Sequence, residues 1–216
     1  MKKQNKARLF SLRNLPMDVI RLLAAPPGLV WLRPKLIYTS NAAKKRIRGG
    51  ALLISNHTGF LDPVYTMYAV WYRRQYFVCH QVLMETKGGP LLRLAGCCIP
   101  IDANNFNISS FRKITDTLKQ GRVVTLFPEG HVNDGSGKMQ EFKSGMALIS
   151  MQSKCPIVPV YLKAPKHWYN RLRVVIDEPV DVTEICGGVP AFSQINEITK
   201  QLQKREELLE KFADKQ

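Results

Sequence analysis

The chain has 216 residues with 45% hydrophobic and 23% charged, enough to bury the core of one enzyme-sized domain, which sets aside disordered and fibrous classes. Its net charge of +15 is uneven: residues 1 to 50 hold twelve Lys and Arg against one acid, Asp18. Such a stripe meets phosphate, in nucleic acid or on an anionic membrane, and composition alone does not choose between the two.

From the N-terminus, Asn14 followed by Leu15-Pro16 suits a helix cap, and Leu15, Val19, Leu22 and Leu23 then share one helical face. The pattern predicts a short amphipathic helix that stops at Pro26-Pro27-Gly28. It is too interrupted for a signal peptide or a spanning helix, which needs about 20 apolar residues. Flanked by Lys and Arg, it is suited equally to lying in a lipid interface and to packing on the domain. Residues 1–34 are therefore expected to form a basic membrane-contact segment and 35–216 the globular domain.

KLIYTS and the apolar run ALLIS are expected strands, separated by a basic turn from Asn41 to Gly50. Asp62-Pro63 opens a helix expected to reach about Arg73, YFVCHQV is a strand, GPLLRLAGC a short helix, and IPID a strand. Asn107 is expected to cap a helix with Ile108, Phe111, Ile114 and Leu118 on its apolar face, ended by Gly121. VVTLF, a helix from about Gly145 to Ser153, the strands IVPVYL and LRVVI, and a charged helix near Ser193 to Lys211 complete the chain. Alternating strands and helices indicate an α/β domain with a central, mainly parallel or mixed sheet flanked by helices.

Five cysteines, with no C-x-x-C pair and no zinc spacing, are expected to be reduced and structural, as in a cytosolic compartment. Neither a metal nor a cofactor is implied. Gly135-Ser136-Gly137-Lys138 is not a phosphate loop, because Val132 stands where its first glycine belongs and Met139 where Ser or Thr belongs. Aromatics are sparse in the basic first 50 residues (Phe10, Trp31, Tyr38), which disfavours nucleic acid.

Ligands of α/β sheets sit beyond the carboxyl ends of strands, where this chain has two polar turns. One follows ALLIS and holds Asn56, His57 and Asp62; the other follows VVTLF and holds Glu129 and Gly130. An imidazole can take a proton from an alcohol, and a carboxylate on its other nitrogen fixes the tautomer and stabilises the imidazolium. The same residues also suit a plain turn with Asp62 as a helix cap.

NHTGFLD, FPEG, FKSG and PIVPVYL occur in the order found in one family, and the chain resembles the glycerophospholipid acyltransferases, specifically the bacterial-type 1-acyl-glycerol-3-phosphate acyltransferases. The resemblance spans about residues 35 to 185. It implies a glycerol-3-phosphate acyltransferase-like fold and a direct transfer in which His57, oriented by Asp62, deprotonates the hydroxyl of a lysophospholipid. That oxygen then attacks the thioester of acyl-CoA or acyl carrier protein at an anionic membrane surface. Asn56, Glu129 and Gly130 are the matching binding positions. Two family arginines are replaced, one by Ala103 and one within His131-Val132, so Lys138 and Lys143, with Arg112 and Lys113 nearby, are candidates to meet an acceptor phosphate. FPEG followed by His131-Val132-Asn133 is also similar to the tafazzin-type transacylases, so another lysolipid, or an inactive basic membrane-binding module, stands as the alternative.

Overall fold

A computed structural model describes residues 15–101, 108–132, 139–167, 169–186 and 192–215. In chain order the elements are α1 (Leu15–Leu32), β1 (Lys35–Tyr38), β2 (Ala51–Ser55), α2 (Asp62–Ala69), β3 (Gln75–His80), a 3₁₀ turn (Gln81–Glu85), α3 (Gly89–Ala95), β4 (Cys98–Ile101), α4 (Ile108–Lys119), β5 (Val123–Leu126), α5 (Gly145–Ser153), β6 (Ile157–Lys163), β7 (Arg173–Ile176), α6 (Val182–Cys186) and α7 (Phe192–Lys215). The strands form one seven-stranded sheet in the order β1-β7-β6-β2-β5-β3-β4. The expected α/β sheet flanked by helices is thus present, and it is mixed. Neighbours run parallel except β6 and β7, which are antiparallel. Only residues 164–172 join β6 to β7, too few for a parallel crossover of a dozen or more residues.

β2 lies at the centre and all five of its residues are buried, as its unbroken apolar run requires of a strand covered on both faces. Its alternating side chains divide the core. Leu52 and Ile54 pack with Ile114, Leu118, Met146, Ile149, Ile195 and Leu202 from α4, α5 and α7. Ala51 and Leu53 pack on the other face with Tyr65, Tyr68 and Ala69 of α2 and with Leu32 of α1.

Two helix boundaries differ from expectation. α1 continues through Pro26 and Pro27 to Leu32, although each proline removes an intrahelical donor. Tertiary contacts hold its last turn: Leu32 is buried and its carbonyl accepts from Leu172 N–H (2.9 Å), while Arg33 donates to the Tyr169 carbonyl (2.7 Å). Gly28 permits this approach, since a Cβ there would stand 2.1 Å from the Tyr68 hydroxyl oxygen. Asp18 pairs with Arg74 near the other end. α2 stops at Ala69 rather than near Arg73: Val70 leaves the helical region (φ −131°, ψ 51°), and beyond it the Arg73 guanidinium bonds the carbonyls of Ile47 (2.9 Å), Gly49 (2.8 Å) and Gly121 (2.6 Å). In α4, Ile114 and Leu118 are buried as expected, whereas Ile108 is exposed at the helix start; Asn107 lies outside the described residues.

β2 and β5 are adjacent and parallel, so the turns that leave their carboxyl ends meet. His57 follows the first strand and Glu129 the second.

Candidate active site

The turn after β2 is fixed one residue at a time. Asn56 is buried, and its side chain pairs with β6 as a backbone unit would: the amide donates to the Leu162 carbonyl (2.9 Å) and its oxygen accepts from Leu162 N–H (2.7 Å). His57 N–H donates to Glu129 Oε1 (2.9 Å), and Glu129 Oε2 accepts from Gln140 N–H (3.1 Å). The N–H groups of Thr58 and Gly59 both donate to Asp62 Oδ2, at 2.6 and 2.8 Å. A buried backbone donor without a partner costs about 1–3 kcal/mol, so these carboxylates hold the turn's path.

Asp62 is 1% exposed and stands in the first turn of α2 with Pro63 beside it, where the helix dipole favours a negative charge. It does not cap α2 with its side chain; Leu61 occupies the cap position and the carboxylate points back into the turn. There Oδ2 also meets His57 Nδ1 at 2.8 Å. An oxygen that already accepts two N–H bonds takes a third as acceptor, which places the ring proton on Nδ1. Nε2 is then the basic nitrogen, and it makes no hydrogen bond among the described residues. The ring stacks on Phe127, which ends the β5 run, with centroids 4.3 Å apart and planes 22° apart. An oriented, partly exposed imidazole backed by a buried carboxylate has the geometry that proton abstraction from an alcohol requires.

Of the other expected site residues, Gly130 adopts φ +78°, a left-handed conformation that favours glycine. A Cβ at Gly130 would lie 2.7 Å from Lys143 Nζ, so the Lys143 ammonium lies over the Phe-Pro-Glu-Gly turn. Lys143 N–H also donates to the Pro128 carbonyl (3.0 Å). Glu129 is buried with both oxygens engaged beneath His57. Lys138 lies outside the described residues, as do Asp102 and Ala103. Arg112 and Lys113 are exposed on α4; Lys113 borders a cavity of about 500 Å³ lined also by Gln81 after β3, Arg93 of α3 and Cys98 of β4. His80 accepts from Val82 N–H at the 3₁₀ turn and His167 stacks on Tyr169, so neither joins the site. Cys79, Cys97, Cys98 and Cys155 are free thiols.

One residue of this region is hidden in the sequence. Glu206 of α7 has no exposed surface, and neither carboxyl oxygen has a hydrogen-bond partner among the described residues. Its charged neighbours, Arg205-Glu206-Glu207, disguise it. The signal is the buried stripe Ile195, Ile198, Leu202, Leu209 and Ala213, whose missing helical step falls on residue 206.

Residues 36–163, more than half of the chain, match the family model described as Acyltransferase. The chain belongs to the acyltransferase family. The matched span contains every residue of the site named above except Glu206. This acyltransferase is similar to the 1-acyl-sn-glycerol-3-phosphate acyltransferase of Bacillus subtilis (strain 168), with 23% identity over 171 residues, 76% of this chain and 83% of that protein. It is 30% identical over 139 residues to the protein of the same name from Limnanthes alba, covering 62% of this chain and 47% of that one. Its fold is similar to the crystal structure of the 1-acyl-sn-glycerophosphate (LPA) acyltransferase PlsC from Thermotoga maritima, with a TM-score of 0.58 and 17% identity, covering 89% of this chain and 79% of that chain. The resemblance to glycerophospholipid acyltransferases is borne out, and the chain is an O-acyltransferase.

Proposed function

We propose that this acyltransferase moves an acyl group from acyl-CoA or acyl carrier protein to the free hydroxyl of a lysophosphatidate, giving phosphatidic acid. The observation that carries the reading is the 2.8 Å contact of His57 Nδ1 with the buried Asp62 carboxylate, which leaves Nε2 as the base. Nε2 takes the hydroxyl proton as the acceptor oxygen attacks the thioester carbonyl carbon. The tetrahedral oxyanion collapses by breaking the C–S bond, and the leaving thiolate recovers the proton from the imidazolium. Asp62 stabilises that cation throughout. No acyl group is attached to the protein.

The names of the relatives support lysophosphatidate as acceptor, and Lys143 beside Gly130 supplies a cation for its phosphate. Ala103 and the exposed Val132 stand at the family's arginine positions and favour the second reading, a lysolipid with no terminal phosphate. An acceptor screen with one acyl-CoA separates them. Lysophosphatidate should be preferred over lysophosphatidylcholine by about tenfold or more in kcat/KM, and Lys143→Ala should raise KM for lysophosphatidate about fivefold with little change for acyl-CoA. Equal use of both acceptors, or an unchanged KM, selects the second reading.

Among the described residues no helix is long and apolar enough to cross a membrane. We infer peripheral docking at the cytoplasmic face. α1 packs on the domain yet exposes Leu22, Leu23, Val30 and Trp31, and Phe60, two residues before Asp62, is 78% exposed. Together with the basic sequence of residues 1–34, the exposed face of α1 supplies the apolar and cationic parts of an interfacial segment, each cation near anionic lipid adding about 1 kcal/mol. Leu22→Glu with Leu23→Glu should lower sedimentation with phosphatidylglycerol vesicles about tenfold while sparing turnover of a short-chain, water-soluble acceptor. Undiminished sedimentation places the docking surface elsewhere, with the Lys44 to Arg48 turn next to test.

A further inference from the structure

The four consecutive N–H groups of residues 56 to 59 are set against carboxyl groups. Those of His57, Thr58 and Gly59 donate to Glu129, Asp62 and Asp62. The first, that of Asn56, faces Glu206, whose carboxyl has neither solvent nor a closed hydrogen bond. A fully buried carboxyl in this condition costs several kcal/mol relative to an apolar side chain, and the stripe of α7 offers an apolar side chain at each neighbouring buried step. α7 reaches the site by a second route. Gln203 Oε1 accepts from Phe142 N–H (3.1 Å), which secures the segment whose Gln140 N–H takes the other oxygen of Glu129.

We propose that Glu206 is a positioning residue for the catalytic turn: from α7 its carboxyl anchors the Asn56 N–H, the contact closing when the substrates are bound, and so sets the height of His57. This rests on the reading of His57 as the base. Catalytic hydrogen bonds are often long without substrate and tighten in the complex, which fits a carboxyl aimed at an N–H group without a closed bond.

Burial, aided by the nearby Asp177 and Glu129 charges, holds the Glu206 carboxyl neutral well above the usual range, while the Asn56 N–H acts the other way. The groups around it are Glu129 beyond β5, Asp177 beyond β7 and paired to Arg205, and Tyr161 on β6, whose hydroxyl is itself pushed up by burial and by Glu210. Ionisation of Glu206 would add a carboxylate charge beside Asp177 and Glu129. Because the folded state keeps a proton that the unfolded chain releases near pH 4.3, the contribution of Glu206 to stability is fully present below about that pH. It is lost as pH rises through the raised pKa.

The test compares wild type, Glu206→Gln and Glu206→Leu in kcat, in KM for acyl-CoA and for lysophosphatidate, and in thermal melting, from about pH 6 to about pH 10. Glu206→Gln, which keeps an acceptor oxygen, should hold kcat within about threefold of the wild type near pH 7. Glu206→Leu should melt at or above the wild type, yet lose about tenfold or more in kcat with both KM values within about twofold. A wild-type kcat in Glu206→Leu, or a loss of kcat in Glu206→Gln as large as that in Glu206→Leu, overturns the proposal. Failure of the underlying reading shows separately, as turnover retained in His57→Ala.

Discussion

His57→Ala loses about three orders of magnitude or more in kcat, measured as thiol release in the presence of acceptor, while the purified protein keeps its fold. Proton transfer to a positioned imidazole contributes about 10²–10⁴ in rate, and none of His80, His131 and His167 belongs to the turn that Asp62 holds. The structural cost is small. The ring gives up its stack on Phe127, about 0.5–1.5 kcal/mol, and its bond to Asp62 Oδ2, which keeps the N–H donors of Thr58 and Gly59, while the His57 backbone N–H to Glu129 is untouched by the substitution. Melting within a few degrees of wild type, beside the loss of turnover, separates the chemistry from folding.

Asp62→Asn is expected to lose about 10²–10³ in kcat with KM for either substrate within about threefold. The substitution is unusually clean in this setting. All three N–H bonds fall on Oδ2, which an amide oxygen can replace, and Oδ1 faces only the Thr58 hydroxyl at 3.3 Å, which can turn to accept from an amide. The geometry is kept and the negative charge is removed, so the imidazolium formed in the transition state loses its stabilisation. Steady-state kinetics read the split. A rise in KM at constant kcat would instead assign Asp62 to binding.

The meeting of His57 with Asp62 in the candidate site was legible because the pair is local in sequence. His57 and Asp62 are five residues apart across one turn, and the apolar runs ALLIS and VVTLF announce the two strands from which the polar turns leave. What holds that turn was not legible. The Asn56 clamp closes on Leu162, 106 residues away, and the Glu129 bond to His57 spans 72, distances at which spacing carries no information. The continuation of α1 through Pro26-Pro27 depends on Tyr68 and Leu172, which no local propensity reports. The antiparallel β7 was readable in principle from the short span 164–172. Glu206 was hidden for the opposite reason: helical charge runs are usually solvated, and its burial shows only when the apolar stripe of α7 is followed step by step.

The most direct test of the central claim, direct acyl transfer promoted by His57, is a single-turnover quench experiment with acyl-labelled acyl-CoA and enzyme in excess. Label should pass in one phase from thioester to lysophosphatidate, with none on the protein at any time, no thiol released when acceptor is omitted, and no transfer by His57→Ala on the same timescale. Label accumulating on the wild-type protein before product, or an alanine variant that transfers at the wild-type rate, would contradict the account.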